Sequence, residues 1–124
     1  AFGANCGIGA ADLLGALLAM VRQIDDSDIL VAKSNCGIPA YIDGRIQYSG
    51  TPELMAEYAR LALNAGARII GGCCGTTPQH IRALVDKVRT ITPKTPTGSQ
   101  VTSLASLFST VPLMQEPAPL LIGE

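Results

Sequence analysis

One tetrapeptide occurs twice, thirty residues apart, and it narrows the folds open to this chain. Asn5-Cys6-Gly7-Ile8 returns as Asn35-Cys36-Gly37-Ile38, and about thirty residues is the length of one strand-helix repeat. The surrounding segments fit such a repeat. Ala1, Phe2 and Gly3 read as the tail of a strand, with loop character from Asn5 to Gly9. From Ala10 to Ile24, Leu13, Leu14, Leu17, Leu18, Val21 and Ile24 recur at helical spacing, and Asp12 stands near the positive end of the helix dipole. Ile29-Leu30-Val31-Ala32 is a short branched apolar run suited to a strand buried on both faces, and a polar loop is expected from Lys33 to Gly50.

The pattern then repeats. Thr51-Pro52-Glu53 combines a hydroxyl cap, a first-position proline and a first-turn acid, so a helix is expected to about Ala65, stopped by Gly66. Ala67-Arg68-Ile69-Ile70 reads as a strand opening into Gly71-Gly72-Cys73-Cys74-Gly75. Thr77-Pro78 starts a third helix with an apolar stripe of Ile81, Leu84, Val85 and Val88. Strand and helix alternate, which predicts an α/β fold with parallel strands.

Composition excludes several functions. Nine Lys and Arg against ten Asp and Glu leave a net charge of -1, so no basic field draws in nucleic acid. No apolar run is long enough to span a membrane, and no signal peptide opens the chain. The four cysteines therefore read as cytoplasmic thiols or a metal site rather than a disulfide framework.

In parallel βα folds ligands gather at the carboxyl ends of the strands, where the cysteines fall. Cys6, Cys73 and Cys74 converge there if the first and third strands are near neighbours in a closed barrel, and a thiolate-rich site favours zinc. Spacing alone leaves the alternative open that these are buried thiols filling strand ends as small hydrophobes. Asp25-Asp26-Ser27-Asp28 lacks the alternating pattern of a calcium loop and reads as a solvated turn.

Three motifs carry a family resemblance. Gly3-Ala4-Asn5-Cys6, Lys33-Ser34-Asn35-Cys36-Gly37-Ile38-Pro39 and Gly71-Gly72-Cys73-Cys74-Gly75-Thr76-Thr77-Pro78 resemble, in order, the last three strand-end motifs of the homocysteine S-methyltransferase family. The resemblance implies that residues 1–91 are the C-terminal part, the last three βα units, of a (β/α)8 TIM barrel. It implies zinc held by Cys6, Cys73 and Cys74, with Asn35 lending a side-chain oxygen when homocysteine is absent. Cys36 is not a ligand in the family pattern and is expected to be a buried neighbour, and His80 a surface or packing residue. The chain is 124 residues long, roughly half of the ~250 typical of such a barrel. The missing N-terminal barrel half, with the residues that grip the amino-acid part of homocysteine, is thus expected on a longer polypeptide or another chain.

After Ile91 five prolines punctuate a Ser/Thr-rich stretch. Residues 92–124 read as an extended linker, in which Leu104, Leu107 and Phe108 are candidates to dock on a neighbour and Leu120-Leu121-Ile122 to begin a further strand. This tail resembles the exit toward a folate-binding domain in the cobalamin-dependent branch of the family. That branch implies methyl transfer to the homocysteine thiolate, forming methionine, with methylcobalamin as donor on a separate module. The alternatives are a cobalamin-independent enzyme using betaine or S-methylmethionine, and a non-catalytic metal-binding fragment.

Overall fold

Alternation of strand and helix is realised in the computed structural model, which describes residues 1–24, 27–94, 103–105 and 110–114. Strand β1 (Phe2–Cys6) leads into helix α1 (Ala10–Val21), and strand β2 (Leu30–Ser34) follows. Next come strands β3 (Pro39–Ile42) and β4 (Arg45–Tyr48), helix α2 (Pro52–Asn64), strand β5 (Ala67–Gly72) and helix α3 (Pro78–Val88). Strands β6 (Ser103–Ala105) and β7 (Thr110–Pro112) lie in the tail.

Strands β1, β2 and β5 form one parallel sheet in that order. Each runs further than the apolar runs predicted, because the ladder carries on through polar residues and glycine. Cys6 pairs with Ser34, and Ser34 with Gly72, so the three strand ends lie level. β2 therefore separates the two cysteine-bearing strands, and the sheet stays open among the described residues. The cysteine loops meet across the end of this middle strand.

Helices cover one face of the sheet. Leu13 and Leu17 of α1 and Met55, Tyr58 and Ala62 of α2 pack on Leu30, Ala32 and Ala67, with Ala4 and Ile70 beside them. At about 25 cal/mol per Å² of apolar surface, this layer stabilises the unit more than any single polar contact does. Helix starts follow their caps. The Thr51 side chain accepts from the Leu54 N–H at 3.3 Å, and at α3 Thr77 and His80 make a reciprocal capping box. On the opposite face Val31 is half-buried, Lys33 is exposed and Ile69 is 50% exposed.

A correction concerns Lys33 to Gly50. Within this stretch residues 39–48 form an antiparallel hairpin, in which Pro39 pairs with Tyr48 and Ile42 with Arg45. Asp43 at φ 49 and Gly44 at φ 75 form its turn, and two left-handed residues give the twist a two-residue hairpin needs. In the tail, β6 and β7 pair antiparallel. Leu104 lies in β6. Asp25, Asp26, Leu107, Phe108 and Leu120-Leu121-Ile122 lie outside the described residues.

Candidate metal centre

Three thiols meet at the level strand ends. The sulfurs of Cys6, Cys73 and Cys74 lie within 4.8 Å of one another, and Cys73 and Cys74 are 3.8 Å apart. A tetrahedral thiolate zinc with bonds of about 2.3 Å puts its sulfurs about 3.8 Å apart, so the donor type and this edge both fit zinc. Among the described residues this is the one group of three or more His, Cys, Asp or Glu side chains arranged to hold a metal.

Backbone conformation aims each cysteine. Cys6 ends β1 at φ 72, followed by Gly7 at φ 81. A non-glycine residue there stores strain of order 1 kcal/mol, which the neighbouring structure must offset. On the other side, Cys73 N–H donates to Ser34 O at 2.7 Å, and Cys74 O accepts from Cys36 N–H at 2.9 Å. These bonds extend the parallel ladder beyond β2 and β5. The vicinal pair is thereby fixed to the backbone of Ser34 and Cys36.

Asn35 completes the bracket. It is only 3% exposed, and its side chain spans the two loops. Nδ2 donates to Gly7 O at 2.5 Å, and Oδ1 accepts from Cys74 N–H at 3.2 Å. Asn35 thus stands beside the cluster with both amide atoms engaged.

The thiols perturb one another. The Gly7 N–H, and next the Cys74 side chain, hold the Cys6 thiol below its ordinary range. Cys73 pushes Cys74 up, as does Cys6 more weakly, and the Tyr48 side chain pulls it back down. Burial, followed by the Cys74 sulfur, raises Tyr48, so the phenol keeps its proton. Cys36 stands apart. It is buried, its thiol is raised by that burial, and it donates to Gly50 O at 3.3 Å.

Tyr48 and its hairpin were missed by reading Lys33 to Gly50 as a loop. The available signal was Asp43-Gly44 between Tyr41-Ile42 and Arg45-Ile46, a hairpin turn pair flanked by strand formers. At the close of β4 the Tyr48 ring lies against Gly75, where an added Cβ would come within 2.3 Å of its Cγ. His80 also holds this region together. Its Nδ1 accepts from Thr77 N–H at 3.1 Å, so in the neutral ring Nε2 carries the proton and faces Gly50 O at 3.3 Å. The ring ties α3 to the hairpin base and lies outside the thiol cluster.

The family profile described as Homocysteine S-methyltransferase matches residues 1–88. Methionine synthase of Mycobacterium tuberculosis is 33% identical over 124 residues, which cover 98% of this chain and 10% of that protein. Methionine synthase of Mycobacterium leprae is 34% identical over 129 residues, again 98% of this chain and 10% of the relative. The chain therefore spans about a tenth of the length of these curated relatives. With its three strand-end motifs inside the matched segment, the chain belongs to the homocysteine S-methyltransferase family.

Proposed function

We propose that the cysteine cluster is a zinc centre that holds the homocysteine thiol for S-methylation, within the homocysteine-binding barrel of a larger methionine-forming enzyme. The observation that carries this reading is the convergence of three thiols from two strand ends within 4.8 Å, in a member of this family. Zinc bound there would supply Lewis-acid stabilisation of a substrate thiolate at neutral pH. Cys6, Cys73 and Cys74 contribute three negative charges, more than a dication cancels. A fourth sulfur beside them keeps the electron density that attack on a methyl group needs.

Asn35 serves in this reading as the displaceable fourth donor when substrate is absent, since a neutral amide oxygen binds weakly and leaves easily. No protein acid is required, because the sulfur attacks carbon and the leaving group carries its own electron pair. His80, engaged with Thr77 and Gly50, is left to hold the loop.

The open sheet face with Val31, Lys33 and Ile69 supports the barrel reading, since those positions would line a barrel interior once further βα units close around them. Methylcobalamin on a separate module is the proposed donor, with residues 92–124 as the linker toward a folate-binding domain. A cytoplasmic setting suits four free cysteines, and no helix among the described residues is long and apolar enough to cross a membrane. Metal analysis of the full-length protein tests the centre. One zinc per chain is expected, lost on replacing Cys6, Cys73 or Cys74 by Ala and kept in Cys36→Ala. Full zinc in Cys73→Ala or Cys74→Ala would overturn the assignment.

A further inference from the structure

A lysine stands on the sheet face that the helices leave open. Along β2, Leu30, Ala32 and Ser34 are buried, whereas the alternating positions Val31 and Lys33 are half-buried and exposed, so they project from the other side. Lys33 pairs with Asn5 of β1 and Gly71 of β5. That row lies directly beneath the row of Cys6, Ser34 and Gly72 from which the thiol loops leave the sheet. Deeper on the same face the paired residues Val31 and Ile69 are apolar.

Neither neighbour in its row is charged, and among the described residues Lys33 forms no ion pair. Its stem runs close to Gly71, where an added Cβ would stand 3.7 Å from Lys33 Cγ. Inside a closed barrel this ammonium needs an anion, because burying it unpaired is far costlier than burying it beside one.

Homocysteine brings that anion. In the zinc reading its sulfur is spent on the metal and its amino group is positive, which leaves the α-carboxylate uncommitted. Three thiolates outweigh the charge of zinc, so a carboxylate gains nothing from the centre itself and needs a cation set apart from the sulfurs. Rows along a strand are about 3.3 Å apart. The flexible four-carbon stem of lysine spans more than that, so from one row below the ammonium reaches the level of the thiols. Resting on the zinc and barrel reading above, we infer that Lys33 is a specificity-determining residue whose ammonium binds the α-carboxylate of homocysteine. This part of the chain then helps to grip the amino-acid end of the substrate as well as its sulfur.

The test uses the zinc-loaded full-length protein and two thiols, homocysteine and 3-aminopropane-1-thiol, which keeps the thiol and the amine and lacks the carboxylate. Zinc content is measured first, and calorimetric titration then gives the dissociation constant of each thiol. Lys33→Met keeps an unbranched stem beside Gly71 and removes the charge. It should hold its zinc, bind homocysteine about tenfold or more weakly, and bind 3-aminopropane-1-thiol as the wild type does. Unchanged homocysteine affinity in Lys33→Met would overturn the inference. So would an equal loss for both thiols, which would place the effect on the sulfur or the fold. Loss of zinc or of folding in this variant would overturn it as well, by making the lysine part of the scaffold. A wild-type protein whose zinc gains no sulfur from homocysteine defeats the zinc reading itself, and X-ray absorption shows this before any variant is made.

Discussion

Asn35 carries two tasks that a single substitution can separate. Its hydrogen bonds to Gly7 O and Cys74 N–H brace the loops, and its proposed second task is to donate to the metal when no substrate is present. Asn35→Ala should keep zinc through the three cysteines and lose an oxygen or nitrogen donor from the substrate-free X-ray absorption spectrum. It should also cost about 1–3 kcal/mol in stability, since Cys74 N–H loses its partner. An unchanged spectrum would remove the donor role and leave the brace. Tyr58 poses a simpler question. Its hydroxyl is buried without a well-formed hydrogen bond, although the Ser34 backbone lies near it and burial raises its pKa. Tyr58→Phe should therefore change stability by less than about 1 kcal/mol, whereas Tyr58→Ala should cost about 3–5 kcal/mol through the cavity it leaves. A large loss in the Phe variant, read by thermal unfolding, would mean that the hydroxyl has a partner after all.

Helical periodicity and caps made α1, α2 and α3 legible, because Leu13, Leu17, Met55 and Leu84 must face a core whatever surrounds them. Thr51-Pro52 and Thr77-Pro78 marked two helix starts for local reasons that survive in the fold. Strand ends were read less well. Asn5, Cys6, Lys33, Ser34, Gly71 and Gly72 look like loop residues, and only pairing with a neighbouring strand keeps them extended. The hairpin was hidden because none of its residues Pro39–Ile42 and Arg45–Gln47 is buried, so burial imposed no pattern and only Asp43-Gly44 spoke for it. The thiol cluster was legible from its motifs, whereas Tyr48 was not, since its approach to Gly75 depends on the hairpin. Gly75→Ala tests that approach. Its φ of 74 and the Tyr48 ring leave no room for a methyl group, so the variant should lose about 1–3 kcal/mol and release zinc faster to a chelator. Wild-type melting and zinc retention would mean that the hairpin and the metal loop are not coupled.

Helices shield one face of the three-stranded sheet, and the other carries Ile69 at 50% exposure with Lys33. Phe2, Ile38 and Ile46 are exposed as well. Produced alone, residues 1–124 should associate or unfold without a cooperative transition, because among the described residues β1 and β5 each have one unpaired edge. A monomer with a single sharp unfolding transition would contradict this. The proposed function requires that the centre bind a substrate sulfur. X-ray absorption at the zinc edge of the full-length protein, with and without homocysteine, counts those sulfurs. Three sulfur neighbours should rise to four on addition of homocysteine, with the lighter donor lost. A sulfur count that stays at three in saturating homocysteine would contradict it.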